Sequence, residues 1–214
     1  MLKGIKELDT WKGDFGKEYT DRNALSFAGM EKLYKDNYGI TRTTLNKRFL
    51  NGIDRKIKIL EVGSNIGNQL VILQKMGFEN LYGIEPQGYA VEFSKSKTMG
   101  INIIQGNAFD IPFKDGYFDL VFTSGVLIHI NPKNVKSAIK EICRCSCKYI
   151  WGFEYYSEDY KNVVYRGHEN LLWKADFSRI YKDACPGLKT VKQEFFKYLS
   201  NDNTDAMFLL KKRV

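Results

Sequence analysis

Two carboxylates flanking a glycine turn are the residues of this sequence best placed to do chemistry. They lie in Lys58 to Glu85, KILEVGSNIGNQLVILQKMGFENLYGIE. An acid ending the second strand of a βαβ unit can accept both hydroxyls of a ribose. Glu85 fits that role, because such an acid is expected about 20 residues after the turn. Gly63 and Gly67 bracket Ser64, Asn65 and Ile66, where the chain must turn sharply and a ligand can approach bare backbone. The turn reads E-V-G-S-N-I-G and lacks the G-x-G-x-x-G that seats a pyrophosphate on a helix amino end. Glu61 would repel a pyrophosphate, yet it suits a cationic ligand that bears an amino acid. Proton transfer has few candidates, since the chain holds 2 histidines. An alcohol acceptor benefits from a base, with His129 the first candidate and His168 the second; the alternative for His129 is packing.

The elements that must position these groups follow from periodicity. Ile59, Leu60 and Val62 predict a strand buried on both faces. Ile66, Leu70, Leu73 and Met76 or Phe78 step at helical spacing, and Leu81 to Ile84 predict a second strand. Pro86 to Lys97 reads as a helix, Ile101 to Gln105 as strand three, and the run ending at Phe122 as strand four. Pro132 to about Cys143 reads as a helix, Cys147 to Phe153 as strand five, and Glu169 to Tyr181 as a further helix. Leu188 to Tyr198 and Met207 to Leu210 complete the sheet as a strand pair. Before the core, Trp11 to Asn23 reads as an aromatic strap without regular periodicity, followed by two helices over residues 24 to 52. The expected fold class is α/β, a Rossmann-like, mostly parallel sheet with an antiparallel C-terminal strand. Residues 57–214 form the core, and residues 1–56 form a strap and helices capping the site.

With its acid before the first glycine and its acid after strand two, the Lys58–Glu85 stretch resembles the class I S-adenosylmethionine (SAM) dependent methyltransferases. Their first motif runs E/D-x-G-x-G-x-G. The resemblance implies that Glu61, Gly63, Ser64, Asn65 and Gly67 pass the methionine part of SAM and that Glu85, with Pro86 after it, holds the ribose. Asn65 stands where the middle glycine is usual, and Asn tolerates unusual backbone angles. By the same resemblance Asn107 and Ala108 border the adenine, with Phe109 as a stacking wall, and Thr123 to Pro132, with Ser124 and His129, faces the ligand. The Trp11–Asn23 stretch and the tail from Glu154 to Phe177 resemble, more narrowly, the methylases found beside bacterial pseudaminic acid (nonulosonate sugar) biosynthesis genes. That likeness implies a sugar-related acceptor. The acceptor pocket is expected among Tyr19, Arg22, Tyr155, Tyr156, Tyr165 and Arg166, with Arg166 pairing an acceptor carboxylate or phosphate.

Composition bounds these readings. A chain of 214 residues with 43% hydrophobic content suits one α/β domain. No apolar run reaches membrane-spanning length, so the expectation is a cytoplasmic protein without membrane contact. Cys143, Cys145, Cys147 and Cys185 are expected as thiols, with no metal site, since closed zinc sites need four well-placed ligands. The net charge of +8 is spread along the chain, and no Asp/Asn-Pro-Pro-aromatic quartet follows strand four, which argues against specific nucleic acid binding. Oligomeric state is not legible. Three readings stay open: a small-molecule methyltransferase acting on a sugar or sugar-nucleotide oxygen or nitrogen, an RNA or protein methyltransferase, and a SAM-binding partner protein without catalysis.

Overall fold

The computed structural model describes residues 5–213. In chain order its helices are α1 (Lys6–Lys12), α2 (Asp14–Arg22), α3 (Phe27–Tyr38), α4 (Arg42–Leu50), α5 (Asn68–Lys75), α6 (Gly88–Lys97), α7 (Val135–Cys145) and α8 (Phe177–Ala184). The strands are β1 (Lys58–Val62), β2 (Asn80–Glu85), β3 (Asn102–Gln105), β4 (Phe118–Ser124), β5 (Ser146–Tyr155), β6 (Lys161–Asn162), β7 (Trp173–Lys174), β8 (Leu188–Lys197) and β9 (Thr204–Lys212). Seven strands form one sheet in the order β3-β2-β1-β4-β5-β9-β8, and β6 and β7 make a separate small ladder. Pairing is parallel from β3 through β5, and β9 runs antiparallel to both β5 and β8.

Period-two alternation explains why this sheet is sandwiched. Leu60, Val121, Ile150, Phe208 and Leu210 belong to one core cluster, with Ile139 and Ile142 of α7 and Ile180 and Tyr181 of α8. Ile59, Leu120, Phe122, Trp151, Met207 and Leu209 belong to the other, with Tyr34 of α3, Leu45 of α4 and Leu70 of α5. Neighbouring residues on one strand thus alternate between the two cores. The order reverses between β1 and β4, and the crevice beyond the strand ends at such a reversal is where doubly wound sheets bind ligands.

Helix ends follow local chemistry. Ser26 caps α3 by accepting from the Gly29 N–H at 3.1 Å, and Thr41 caps α4 by accepting from the Thr44 N–H at 3.2 Å. Asp176 accepts from the Arg179 N–H at 3.0 Å and starts α8 at Phe177. The expected helix over Glu169 to Tyr181 is therefore corrected: its first half is the turn and strand of the β6–β7 ladder. The expected strap is also corrected. It is two helices broken at Gly13, with Phe15 and Tyr19 of α2 packed edge-on against Trp11 of α1 at 5.2 and 5.1 Å. The cysteine expectation changes too, because Cys143 at the end of α7 is disulfide-bonded to Cys185 after α8. Cys145 and Cys147 are free. No described helix is long and apolar enough to cross a membrane.

Phe122 is wholly buried on the central strand β4. Replacing Phe122 with Ala should cost about 3–5 kcal/mol of unfolding free energy in urea denaturation; a loss below about 1 kcal/mol would contradict this core assignment.

Candidate functional site

A cavity of about 360 Å³ opens at the carboxyl edge of the sheet, above the β1–β4 reversal. Its floor is the turn after β1. Gly63 has φ +74°, and a Cβ there would sit 2.7 Å from Val126 Cγ2, so only glycine lets the segment after β4 approach. Asn65 also takes a left-handed conformation, with φ 47°. Its side chain sustains that turn from both ends: Oδ1 accepts from the Ile66 N–H at 2.8 Å, and Nδ2 donates to Thr20 Oγ1 at 3.0 Å.

Glu85 joins the walls. Oε2 accepts from the Asn65 N–H and Oε1 from the Gln87 N–H, each at 2.9 Å. A carboxylate oxygen can accept more than one hydrogen bond, so each retains a free lone pair. Burial pushes the Glu85 pKa up to about 7, and the two N–H donors hold it from rising further. The Gln87 side chain in turn donates to the carbonyls of Lys12 and Gly13 at 2.9 and 2.8 Å, fixing the α1–α2 junction over the cavity. Glu61 is buried, its Oε2 has no partner, and its pKa is raised well above the ordinary range by desolvation, which the Arg42 guanidinium opposes.

The segment after β4 is held by a residue that sequence reasoning left without a role. Glu154 on β5 is buried and accepts from the N–H groups of Val126 at 3.2 Å and Ile128 at 3.5 Å. Desolvation raises its pKa to about 7, against those bonds. This carboxylate sets the short 3-10 turn Leu127–His129 that carries the histidine. His129 Nδ1 lies 2.7 Å from the Leu171 carbonyl. A carbonyl only accepts, so Nδ1 bears the proton and Nε2 the lone pair. The ring sits 4.6 Å from Trp11 and 5.3 Å from Tyr165, and burial lowers its pKa to about 4.

The cavity brings together Glu61, Gly63, Ser64, Asn65, Glu85 and Pro86 with Asn107, Ala108, Phe109 and Ser124. His129, Tyr19, Tyr155 and Tyr165 also line it. Five of the expected residues do not. A Cβ on Gly67 would meet Ile103 Cδ1 at 2.7 Å, so that glycine serves the packing of α5 against β3. Arg22 lies on the exposed side of α2, 3.4 Å from Glu18 one turn earlier. Arg166 occupies a left-handed turn position, φ 51°, and is exposed. His168 is exposed and packs edge-on to Phe15 at 5.4 Å. Tyr156 packs on Phe195 at 4.5 Å. The expected cation in the acceptor pocket is therefore corrected. Among the described residues no Lys or Arg lines the cavity, whereas Glu7, Glu61, Glu85 and Asp205 do.

Residues 60–148 match the family model described as a methyltransferase domain. The fold is similar to 1,6-didemethyltoxoflavin-N1-methyltransferase of Burkholderia thailandensis, solved with 1,6-didemethyltoxoflavin and S-adenosylhomocysteine. That match has a TM-score of 0.73 at 11% identity, over 100% of this chain and 92% of that one. It is also similar to magnesium protoporphyrin IX methyltransferase of Synechocystis PCC 6803 with bound SAM, at TM-score 0.67, 12% identity and 100% coverage of both chains. A third similar structure, at TM-score 0.65 and 14% identity over 80% of each chain, is the cyclase SpnF. At such identities these likenesses speak for the fold, and the family match speaks for the domain.

Glu154 provides a test of the site's electrostatics. Its folded pKa lies above that of an ordinary glutamate, so the folded state binds its proton more tightly than the unfolded state. The associated stability is complete below about pH 4.5 and is lost as pH rises through about 7. Glu154→Gln keeps an acceptor oxygen and removes the charge. The variant's stability relative to the parent should therefore rise between about pH 5 and pH 8, by on the order of 3 kcal/mol. A difference that stays flat with pH in parallel denaturation curves would rule out a buried, titrating Glu154.

Proposed function

We propose that this chain is a SAM-dependent methyltransferase that methylates an oxygen or nitrogen of a polar small molecule, and that the acceptor is a sugar or sugar nucleotide. The observation that carries the cofactor half is Glu85, buried at the end of β2 with one lone pair left on each oxygen. Two adjacent hydroxyls, as on a ribose, complete that pattern. The unpartnered Glu61 oxygen fits a cationic amino-acid portion on the other side of the turn. Asn107, Ala108 and Phe109 after β3 offer an amide and an apolar wall for the adenine.

When bound, SAM supplies an electrophilic methyl group; this chain's part is orientation, exclusion of water and proton handling. The α1–α2 pair, held by Gln87 and by the Thr20–Asn65 bond, covers the cavity. His129 stays neutral at physiological pH, and its Nε2 lone pair can accept a proton from an acceptor hydroxyl. Tyr19, Tyr155 and Tyr165 shape the acceptor side. The sugar assignment rests on the resemblance of the Trp11–Asn23 and Glu154–Phe177 stretches to nonulosonate-associated methylases. The acid-rich lining favours contact through the sugar's own hydroxyl and amino groups, with any phosphates outside. A nucleic acid polymer is a poor fit to such a lining, and among the described residues the chain's Lys and Arg side chains lie outside it.

Glu85→Ala should weaken S-adenosylhomocysteine binding by roughly tenfold or more, as expected for loss of hydrogen bonds to a charged group. Ribose hydroxyls bond best to the ionised carboxylate, so parent affinity should fall as pH drops from about 8 to about 6, and Glu85→Gln should flatten that fall. Unchanged calorimetric affinity in a folded Glu85→Ala protein would remove the ribose assignment. With an accepted sugar, His129→Ala should lower turnover by about 10² to 10⁴ and leave cofactor affinity nearly intact. Lost stability with unchanged turnover per folded molecule would instead assign His129 to packing.

A further inference from the structure

The far side of the cavity holds a buried acid that the cofactor reading leaves unused. Asp205 begins the inward part of β9 and pairs across the ladder with Tyr155 of β5. Strands lie about 4.8 Å apart, so Asp205 is roughly 10 Å across the sheet from the end of β4, on the side away from Glu85. It is 2% exposed and lines the cavity. Its Oδ2 accepts from the Tyr38 hydroxyl at 2.5 Å and the Tyr198 hydroxyl at 3.4 Å. Its Oδ1 is buried with no partner. A buried charged oxygen without a hydrogen bond is unfavourable, and a ligand that donates to it recovers the loss.

Aromatic rings surround this carboxylate. The Tyr38 ring lies 4.8 Å from Tyr198, 5.6 Å from Tyr34 and 5.8 Å from Phe153, and Tyr155 lies 6.1 Å from Tyr198. Ring faces and a carboxylate together attract an ammonium group and offer nothing to an anion. Two cations act on Asp205 through space, Arg42 and Lys174. Neither lines the cavity: Arg42 donates to Asn46 and Tyr34 and stands over the Tyr34 and Phe153 rings at 5.0 and 4.6 Å, and Lys174 donates to Asn203 and stands 5.6 Å over the Tyr155 ring. Among the described residues the Tyr38 and Tyr198 rings hold no such cation.

We propose that Asp205, beside the rings of Tyr38 and Tyr198, binds a protonated primary amino group of the acceptor. The inference builds on the methyltransferase reading and adds the acceptor's class, an amino-bearing small molecule such as an amino sugar. An amine held as ammonium by a carboxylate has no lone pair for attack. The group at Asp205 is therefore a recognition handle, and a different atom of the acceptor receives the methyl group.

The test is calorimetry on the full chain saturated with S-adenosylhomocysteine, at about pH 7, with glucosamine, glucose and glucuronate as probes carrying a positive, zero and negative charge. Glucosamine should bind at least tenfold more tightly than glucose, and glucuronate more weakly than either. Asp205→Asn should abolish the advantage of glucosamine, and Tyr198→Leu should reduce it by about two- to fivefold through loss of one ring. Unchanged S-adenosylhomocysteine affinity in both variants shows that the fold and cofactor site are intact. If the parent fails to bind S-adenosylhomocysteine, the cofactor reading fails. If it binds, and glucosamine shows no advantage or Asp205→Asn keeps it, the amine handle is overturned. Should Asp205→Asn not fold, an unchanged preference in Tyr198→Leu overturns it as well.

Discussion

The site depends on one buried carboxylate. Glu85 ends β2 and takes a backbone N–H from each of two turns, the one after β1 and the one after its own strand. Without it, the Asn65 N–H would be left in a desolvated corner, and the left-handed turn would lose the bond that aims it. Two further links extend outward from those turns. Asn65 reaches Thr20 on α2, and Gln87 reaches the carbonyls where α1 meets α2. The cover over the cavity is thus attached through the residues that Glu85 orders. A ligand that donates to Glu85 strengthens the carboxylate's ionised form, and with it the same chain of bonds.

Much of this is legible in the chain itself, because strands buried on both faces leave short apolar runs, and their length and the glycine turns that bound them tell them from helix segments. Strands β1, β2 and β4 and the acid at Glu85 were readable for that reason. The N-terminal segment was not. Trp11, Phe15 and Tyr19 are spaced as helix neighbours, but Gly13 breaks the helix among them, so no single periodicity spans the segment. Asp176 was the cap that would have placed α8, yet a lone Asp in a polar stretch marks turns as readily as caps. Cys143 sits on α7 and Cys185 just after α8, and only the packing of those two helices brings them together.

The acceptor side shows a different kind of limit. Arg22 and Arg166 are candidates by type and neighbourhood, since cations near a cleft often read anions. Whether a residue enters a cavity is decided by one helical step or one turn conformation, and both arginines fall on the solvent side of theirs. Glu154 and Asp205 are the opposite case. Each is the one acid of its strand and borders apolar or aromatic residues, Glu154 between Phe153 and Tyr155 and Asp205 before Ala206 and Met207. A charged residue on an interior strand has to be paired, protonated or met by a ligand. That physical demand is visible in sequence, though what satisfies it is not.

The surface and the cavity consequently carry opposite signs. A +8 chain whose cleft is lined by four acids, Glu7, Glu61, Glu85 and Asp205, separates its roles by depth. Surface charge screened by salt governs weak encounters over a Debye length of about 8–10 Å. The interior acids act at lower dielectric, where a single unpaired oxygen outweighs several surface lysines. Arg42 lies behind the cavity wall and does not line it. Its guanidinium is wholly buried, 4.6 Å from the Phe153 ring and 5.0 Å from Tyr34, and its charge acts on both Glu61 and Asp205. It offsets part of the cost of burying these acids while leaving one oxygen of each without a hydrogen-bond partner. A cation behind the wall and open acceptors in front is an arrangement that tolerates the acids in the empty cavity and still rewards a donor that enters it.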